Sequence, residues 1–417
     1  MPWWPSLAET TSAGPITAAH IERAMQAGAG IVRETPVLSS GTLSDRSGTT
    51  VVLKAENLQR TGSFKLRGAL AKLAALGEAC AQGVVTASAG NHAQAVAYAA
   101  RARGVSCTVF MPEPAPLAKL EAARSLGADV RLVGASVDEA LEAAHAYAAQ
   151  TGGAFVHPFN DPDVVAGQAT LGLELVYQVP DLVRVVVPLG GGGLASGVAI
   201  AVKSARPQAE VIGVQVDGCA PFPASLEAGR PVAVRSALTI ADGIAVKRPG
   251  ELTLALIERW VDAVVTVSED EVAEAMVFLL ERAKLVVEGA GAVGVAALLG
   301  GRLPRSGAGA TVAILSGGNV DAGLLAEVAR RHESQAGRRL VLLACLPDRP
   351  GSLAQLLALV GEQRANLLDV EHIREGFDLH VRETVVQLVL ETRGAGHAQR
   401  VSAAIRSAGY YEPRVLR

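Results

Sequence analysis

The chain has 417 residues, half of them apolar, and its 38 Lys and Arg residues against 41 Asp and Glu residues give a net charge of -3. This length exceeds one ordinary core and indicates about two to three domains. The slightly acidic balance offers no general attraction for nucleic-acid phosphates or anionic lipids, so neither is an expected partner. The four cysteines are scattered without paired spacing, which argues against a disulfide framework or a zinc cluster and favours a reducing compartment.

Membrane attachment is not expected. The chain contains no uninterrupted apolar run of the length that a membrane-spanning helix requires. Its opening residues, Met1 to Pro5, include neither a basic leader nor an apolar stretch of signal length. We therefore expect a soluble protein located in the cytoplasm.

From about residue 80 to about residue 320, short runs rich in β-branched residues alternate with alanine-rich stretches. The runs predicted as strands are Val84–Thr86, Val105–Met111, Val130–Val133, Val183–Val187, Val211–Val216 and Thr311–Leu315. The stretches predicted as helices include Asn91–Arg103 and Pro116–Ser125. Several of these strands are apolar without alternation, which is typical of a parallel sheet buried on both faces by crossover helices. The pattern predicts an α/β fold.

The composition changes near Ala329. Residues 330–339, RRHESQAGRR, are polar and charged, which indicates a linker rather than a core element. We therefore predict a first domain over residues 1–329, a linker over 330–339 and a second domain over 340–417.

The second domain is predicted to follow the order β-α-β-β-α-β. Its predicted elements are the strands Leu340–Leu346, Asn366–Ile373 and Glu383–Glu391, the helices Ser352–Arg364 and Ala398–Ala408, and a short last strand. This split arrangement forms an antiparallel sheet covered on one face by two helices. Its size is that of a small regulatory module.

The segment from Glu56 to Gly68 reads ENLQRTGSFKLRG and contains Lys65. A lysine amine becomes nucleophilic when burial or neighbouring groups lower its pKa, and it can then hold a carbonyl cofactor as a Schiff base. Ser63 and Phe64 place a hydroxyl and an aromatic ring beside it. A surface lysine in the first turn of a helix is the ordinary alternative, so other motifs must decide.

Four consecutive glycines, Gly190, Gly191, Gly192 and Gly193, follow a predicted strand and open a predicted helix. Several backbone N–H groups can converge there without Cβ clashes, and the helix N-terminus adds a positive partial charge, so the turn predicts a phosphate site. Neither the P-loop lysine nor the dinucleotide fingerprint is present, which favours a phosphomonoester. A flexible turn without a ligand is the alternative.

Two further strand ends carry polar turns. The segment SAGNHAQ at residues 88–94 opens a helix, where backbone donors would suit a carboxylate. Ser and Asn are also ordinary helix caps, and His92 would be equally suited to packing in the core. The segment SGGN at residues 316–319 ends the last predicted strand, and its hydroxyl would suit a ring nitrogen, although such turns are common.

Together the four motifs resemble, in order and spacing, those of pyridoxal-phosphate enzymes of the tryptophan-synthase-β fold. Within that fold the chain is most similar to the threonine ammonia-lyases, or threonine dehydratases, over about residues 15–325. Supporting segments are MPE at 111–113, APLAK at 115–119, HPF at 157–159, ADGI at 241–244 and VEG at 287–289. The resemblance implies pyridoxal 5'-phosphate as cofactor and the two-lobed parallel-sheet fold called fold type II. The small lobe, about residues 68–162, would be inserted in the large lobe.

The resemblance also implies a role for each motif residue. Lys65 would hold the cofactor covalently and later act as the base at the substrate Cα. The residues implied to contact the cofactor are Phe64, Lys65, Asn91, Gly190, Gly191, Gly192, Gly193, Leu194, Gly243, Glu288 and Ser316. Phe64 and Gly243 would flank the ring, Asn91 would bond its 3-hydroxyl, and Ser316 would bond its nitrogen. The residues implied to bind the substrate carboxylate are Ser88, Gly90, Asn91 and His92.

The implied reaction is β-elimination, converting L-threonine to 2-oxobutanoate and ammonia and L-serine to pyruvate. A neutral hydroxyl at Ser316 leaves the ring nitrogen unprotonated, which favours elimination over transamination. Serine racemases, which resemble the chain over the same region, have a serine base where this chain has Ala89, so racemisation is not expected. They also carry acidic metal ligands where this chain reads QVDGC at 215–219, so no metal site is expected. Gly289 stands where the family usually has proline.

In the second domain, the segment DRPGS at residues 348–352 resembles the ligand loop of ACT domains. Asn366 falls where those domains place a second polar contact. We therefore expect Asp348, Gly351 and Asn366 to bind an amino acid effector, isoleucine or valine, across paired modules. A homodimer or homotetramer would supply that pairing. A packing or dimerisation module without a ligand is the alternative.

Two other functions stay open. One is a serine or 3-hydroxyaspartate dehydratase, because a hydrophobic pocket discriminates one methyl group by only about 1–3 kcal/mol. The other is a catalytically silent protein that senses the cofactor or an amino acid, against which the joint presence of Lys65, Asn91 and Ser316 argues. A role in isoleucine biosynthesis and a catabolic role fit the sequence equally well.

Overall fold

The structure is a computed structural model that describes residues 14–304, 307–412, 414 and 415. The chain divides into two compact units, and the boundary falls between Asp321 and Ala322. The opening segment considered above, Met1 to Pro5, lies outside the described residues. Among the described helices, none combines the length and the apolarity that crossing a membrane requires.

The first unit alternates strands and helices along the chain. Its described strands are β1 (Val37–Ser39), β2 (Thr50–Lys54), β3 (Val84–Ala87), β4 (Cys107–Met111), β5 (Asp129–Leu132), β6 (Ala154–Phe155), β7 (Leu182–Pro188), β8 (Glu210–Val216), β9 (Ala263–Val267) and β10 (Ala310–Ile314). Its described helices are α1 (Ala18–Gly28), α2 (Gly41–Ser47), α3 (Lys65–Leu76), α4 (Asn91–Arg103), α5 (Leu117–Ser125), α6 (Val137–Thr151), α7 (Pro162–Gln178), α8 (Gly193–Ala205), α9 (Pro221–Ala228), α10 (Glu251–Trp260), α11 (Glu269–Phe278) and α12 (Gly289–Leu299). Short helical turns lie at Glu56–Leu58, Gly77–Cys80, Asp242–Ile244 and Leu279–Ala283.

Two sheets form the framework of this unit. The larger has the strand order β1-β2-β10-β7-β8-β9, in which only β1 runs antiparallel to its neighbour. The smaller, β5-β4-β3-β6, is parallel throughout and is built from strands between residues 84 and 155. Its strands therefore lie between β2 and β7 along the chain, as an inserted lobe requires. The predicted α/β fold with parallel sheets is confirmed.

Small residues allow the helices around the larger sheet to approach closely. A Cβ atom added at Gly167 of α7 would lie 2.6 Å from the carbonyl oxygen of Arg67 in α3, and one added at Gly197 of α8 would lie 2.5 Å from that of Val165 in α7. Both distances are shorter than side-chain packing allows, so a larger residue would separate these helices. Helix α7 thus holds α3, which begins at Lys65, and α8, which begins at the last of the four glycines, at fixed positions.

The second unit is a smaller antiparallel structure. Its described elements are α13 (Ala322–Gln335), β11 (Arg339–Pro347), α14 (Ser352–Glu362), β12 (Asn366–Ile373), β13 (Phe377–Asp378), β14 (Glu383–Glu391), α15 (Ala395–Ser407) and β15 (Arg414–Val415). Strands β11, β14 and β12 form one sheet in that order, and Tyr411 adds a single antiparallel bridge to Cys345 of β11. The predicted order β-α-β-β-α-β is present, although the last strand pairs with the short β13 rather than with the main sheet.

The linker predicted over residues 330–339 differs from the structure. Helix α13 continues to Gln335, and the unit boundary lies before Ala322 rather than after residue 329. Val328 is buried while most of the polar residues around it are exposed or half-buried, and Arg338 closes the end of the helix with an ion pair to Glu333 at 2.7 Å. A run of charged residues is common to a linker and to the outer face of a helix, so composition alone does not separate them.

Candidate active site

Lys65 is the first residue of α3, and the turn before it is joined to the end of β10. The Phe64 N–H donates to the Ser316 carbonyl at 3.1 Å, and the Gly318 N–H donates to the Gly62 carbonyl at 2.9 Å. These bonds place two motifs that are far apart in the sequence side by side. The Lys65 segment and the SGGN segment are therefore held together by backbone hydrogen bonds.

The Lys65 amine lies in an environment that favours its neutral form. Its Nζ donates to the Pro158 carbonyl at 3.0 Å and lies 5.3 Å from the centre of the Phe64 ring. Desolvation lowers the pKa of Lys65 to about 8, against the opposing effect of the Glu288 carboxylate. A neutral amine at near-neutral pH is the reactive form for covalent catalysis.

The tetraglycine turn, residues 190–193, follows β7, includes the first residue of α8 and is closely packed. A Cβ atom at Gly190 would lie 2.9 Å from the Cα of Ile244, and one at Gly191 would overlap the Phe159 ring. Gly192 has a φ of +94°, which side-chain-bearing residues rarely adopt. Because the turn leads directly into the N-terminus of α8, its backbone donors meet the positive end of the helix dipole.

One pocket collects the residues predicted to contact a cofactor. It lies where β7 and β10 end, the position expected for ligands of open α/β sheets. The predicted residues that line it are Phe64, Lys65, Asn91, Gly190, Gly191, Gly192, Gly193, Leu194, Gly243, Glu288 and Ser316. All the cofactor-contacting residues named from the sequence thus face a common space.

The predicted substrate-binding residues, unlike the predicted cofactor-contacting residues, do not all line the pocket. Ser88 and Gly90 lie beside Asn91 at the start of α4, and the Ser88 hydroxyl accepts the Gly90 N–H at 3.2 Å. His92 is buried, its Nε2 contacts the Val156 carbonyl at 3.0 Å, and burial lowers its pKa to about 3. The His92 imidazole is therefore not available to a substrate, and only its backbone N–H, in the first turn of α4, stays a candidate.

Residues 157–160 contribute to the pocket in a way that the sequence did not specify. The Nδ1 atom of His157 accepts the N–H groups of Phe159 at 3.2 Å and Asn160 at 2.8 Å, and burial lowers its pKa to about 4. This bonding holds Phe159 against Gly191 and directs the Pro158 carbonyl at Lys65. The sequence pointed to the HPF segment at residues 157–159 only as support for the family resemblance, and it assigned no function to these residues.

A buried ion-pair network anchors the start of α3. Arg67 of α3 bonds both oxygens of Glu56, at 2.8 and 2.9 Å, and contacts Glu174 of α7 at 2.6 Å. Lys54, at the end of β2, contacts the same Glu174 at 2.7 Å. The network joins β2, α3 and α7 two residues from Lys65, so it restrains the start of α3.

Comparison with known proteins agrees with this geometry. A family model described as pyridoxal-phosphate dependent enzyme matches residues 29–317. The chain belongs to this family. An L-threonine ammonia-lyase of Thermotoga maritima is 46% identical over 96% of this chain and 100% of its own length. One from Geobacter sulfurreducens is 47% identical over 91% of this chain and 94% of its own length.

Solved structures are similar over a smaller share of this pyridoxal-phosphate enzyme. A threonine deaminase from tomato, Solanum lycopersicum, in its processed form, is 35% identical with a TM-score of 0.69, covering 75% of this chain and 93% of that one. Maize serine racemase is 35% identical with a TM-score of 0.72, covering 77% of this chain and 99% of that one. The cofactor of the enzyme is accordingly pyridoxal phosphate, as the sequence predicted.

The residues present fit this cofactor. The glycines leave a cradle that a single Cβ would obstruct, and the Lys65 amine reaches the same pocket. Ser316 is buried in the pocket wall, and the side-chain amide oxygen of Gln168, which also lines the pocket, is buried without a hydrogen-bond partner among the described residues. Such polar groups are satisfied when a polar ligand binds. Within the described ranges no group of three or more His, Cys, Asp and Glu is placed to hold a metal ion.

Proposed function

We propose that the enzyme is an L-threonine ammonia-lyase that releases 2-oxobutanoate and ammonia. The convergence of Lys65, the tetraglycine turn and Ser316 on one pocket carries this proposal. Two relatives with that name, 46% and 47% identical over most of the chain, support it. In the net reaction the β-hydroxyl leaves as water, and water then hydrolyses the released enamine to the 2-oxo acid and ammonia.

Each pocket residue has a task in this reaction. The pyridoxal ring, when bound, withdraws electrons from the substrate Cα. The Lys65 amine, whose pKa is lowered to about 8, accepts the Cα proton. The tetraglycine N–H groups and the start of α8 would hold the phosphate. The Ser316 hydroxyl would meet the ring nitrogen as a neutral partner, which favours prompt elimination.

Substrate choice depends on the apolar part of the pocket. Phe64, Phe159 and Ile244 line it and suit the threonine methyl group. One methyl group contributes only about 1–3 kcal/mol of discrimination, so L-serine should also react and give pyruvate. A serine or 3-hydroxyaspartate dehydratase is the alternative, and side-by-side kcat/KM values on the three amino acids decide between them.

The central test uses the purified holoenzyme with L-threonine. We expect 2-oxobutanoate and ammonia in equal amounts, together with a change in the visible absorbance of the bound cofactor. Lys65→Ala should lower kcat by at least about 10²- to 10⁴-fold, the range for losing one proton-transfer group. Lys203→Ala, which breaks only an ion pair to Asp262 on the surface, is the matched control. A kcat of Lys65→Ala within about tenfold of the wild-type value, or no spectral change with any hydroxy amino acid, would contradict the proposal.

We also propose that the second unit binds an amino acid effector, isoleucine or valine, in the manner of an ACT domain. Its β-α-β-β-α-β order supports this interpretation. Gly351, with a φ of +91°, precedes α14, and its backbone can approach a ligand closely. Asp348 is exposed and is paired with Arg374 at 2.6 Å, so a ligand amine would compete with that guanidinium.

The proposed effector site requires two copies of the second unit. Asp348 follows the end of β11 where Pro347 is opposite Glu383, whereas Asn366 is opposite Glu391 at the other end of β14. Within one module these side chains are separated by the length of the sheet. In the described residues β12 is an edge strand, and Leu368 on it is 54% exposed. An open edge of this kind can pair with another chain, which supports a homodimer or homotetramer.

Calorimetry and sedimentation test the effector proposal together. Isoleucine or valine should release heat on binding and change the kinetics with threonine. The protein should sediment as a dimer or a larger assembly. Asp348→Asn should reduce that heat. A monomer, or absence of both heat and kinetic change with every branched-chain amino acid, would refute the model while leaving the catalytic proposal intact.

A cytoplasmic location is part of the same proposal. Cys80, Cys107, Cys219 and Cys345 are all buried free thiols. Free thiols persist in reducing compartments, which supports this assignment. Fractionation of the source cells with the enzyme recovered outside the cytoplasmic fraction would contradict it.

A further inference from the structure

Three residues from distant parts of the chain form a hydrogen-bonded row along the pocket wall. Asn91 Nδ2 donates to Glu288 Oε1 at 2.7 Å, and Asn319 Nδ2 donates to Asn91 Oδ1 at 2.7 Å. Asn319 Nδ2 also donates to the Thr61 carbonyl at 2.8 Å. The row therefore begins at a backbone carbonyl and ends at a carboxyl group.

The direction of every bond in this row follows from its first member. An Asn side chain can usually be turned by about 180°, since its oxygen and nitrogen have nearly the same shape. The Thr61 carbonyl can only accept, so Asn319 must present its NH₂ group there, and the same NH₂ group reaches Asn91. Asn91 must then turn its oxygen toward Asn319 and its own NH₂ group toward Glu288. One N–H of Asn91 is left for a ligand in the pocket.

The Glu288 carboxyl occupies space that two glycines leave free. A Cβ atom added at Gly317 would overlap Glu288 Oε1, and one added at Gly243 would lie 3.2 Å from it. Burial and Asp242 raise the pKa of Glu288 to about 7, while the Asn91 bond, Lys119 and the backbone of Asn319 oppose that increase. Lys65 lines the same pocket as Glu288, and the Glu288 carboxylate opposes the lowering of the Lys65 pKa. The acceptor at the end of the row is thus enclosed.

We propose that Asn319 and Glu288 are positioning residues that hold Asn91 as an obligate hydrogen-bond donor toward the 3-oxygen of the cofactor ring. The inference rests on the proposed contact between Asn91 and that oxygen. A donor held there stabilises the anionic form of the oxygen, while an amide turned the other way would present its own oxygen and oppose it. Asn319 acts only through Asn91, so its effect is on the ionisation of the ring and not on proton transfer at Cα.

Asn319→Asp is the decisive variant because a carboxylate accepts where Asn319 donates. The introduced carboxylate would draw the Asn91 NH₂ group toward itself and turn the Asn91 oxygen away from its present position. The measurement is the absorbance of the holoenzyme without any amino acid, titrated from acid to alkaline pH. The anionic oxygen absorbs at the visible edge and the neutral oxygen in the near ultraviolet. We expect Asn319→Asp to shift the ratio toward the near-ultraviolet band and to weaken cofactor binding about tenfold or more.

Three further variants complete the test. Glu288→Gln keeps an oxygen that can accept from Asn91, so its absorbance ratio should shift less than that of Asn319→Asp. Asn319→Ala frees Asn91 to turn and should give a partial shift, which keeps the test valid if Asn319→Asp does not fold. Asn57→Asp is the matched control, since Asn57 Nδ2 donates to the Val286 carbonyl at 3.1 Å and lies near Gly318. It should leave the absorbance ratio unchanged.

Two results would overturn the inference. One is the same absorbance ratio and cofactor affinity in the wild type, Asn319→Asp and Asn319→Ala. The other is an equal shift in Glu288→Gln and Asn319→Asp, because the first keeps an acceptor for the Asn91 NH₂ group and only the second should turn the Asn91 amide. Both readouts are taken without substrate, so an error in the proposed threonine reaction leaves them unchanged. A wild-type chain that shows no cofactor band would instead refute the covalent role of Lys65.

Discussion

The two units each contain a glycine turn that leads into a helix, and the two turns have nearly the same backbone. Gly192 precedes α8 with φ 94° and ψ -15°, and Gly351 precedes α14 with φ 91° and ψ -16°. Their surroundings are opposite. A Cβ atom at Gly192 would lie 2.8 Å from Thr253, whereas one at Gly351 would meet nothing within 4 Å.

Ion pairs in the two units differ in the same way. In the first unit, the Arg67–Glu56 pair, two residues after Lys65, is buried and held by two hydrogen bonds. In the second unit, the Asp348–Arg374 pair has exposed side chains. A helix start with a left-handed glycine therefore does not by itself make a binding site. Enclosure by distant parts of the chain turns such a start into a pocket, and the predictions below test this difference.

The largest effect is expected from the buried ion pair. Arg67→Met leaves Glu56 and Glu174 without their guanidinium partner, and breaking a buried pair costs about 3–5 kcal/mol. Arg374→Met in the second unit is the matched control, and it should leave the unfolding midpoint unchanged. Denaturant unfolding followed by circular dichroism measures both variants. Equal midpoints for the two would contradict the proposed contrast.

The glycines themselves give the next effect. Alanine at a left-handed position costs about 1–2 kcal/mol in either turn. Gly192→Ala adds overpacking against Thr253, worth about 1–3 kcal/mol, and should weaken cofactor binding. Gly351→Ala should leave cofactor affinity as in the wild type. Fluorescence titration of the two apoenzymes with pyridoxal phosphate checks the pair, and similar losses in both would mean that backbone strain alone matters.

Acid–base behaviour provides a third test. Desolvation lowers the pKa of Lys65 to about 8, so its reactive neutral form increases as the pH rises through that value. The rate of cofactor incorporation into the apoenzyme should increase about fivefold from about pH 7 to about pH 8 and level off above about pH 9. Stopped-flow absorbance measures this rate. An increase that continues to about pH 10.5 would mean that the amine is an ordinary exposed lysine.

The smallest effect is expected at the exposed turn. Asp348→Asn removes the charge paired with Arg374 in the second unit. Without an added effector, kcat and KM for threonine should equal the wild-type values. Steady-state assays at one protein concentration provide the check, and a severalfold change would show that the second unit acts on the first without a ligand.

Local sequence patterns predicted most of the elements because they depend on neighbouring residues. The valine-rich strands and the helix Asn91–Arg103 appear close to their predicted bounds. The linker at 330–339 was wrong over 330–335, because exposed helix residues and linker residues have the same polarity. The family resemblance implied that His92 binds the substrate, yet its ring packs in the core, the alternative that the sequence had left open.

The sequence by itself determined the cofactor class: a lysine, a tetraglycine turn and a neutral serine follow one another in an order typical of pyridoxal-phosphate enzymes. Only the tertiary structure decided how those groups act together. Strand order decides which distant residues meet. It sets the bonds of Asn91 to Glu288 and Asn319 and the bond of Lys65 to the Pro158 carbonyl. It also places Asp348 and Asn366 at opposite ends of their sheet. These contacts join residues far apart along the chain, and no local pattern encodes which of them will meet. Lys65 illustrates both the sequence motif and the tertiary structure. The motif singled it out as the candidate lysine, and burial in the fold lowers its pKa.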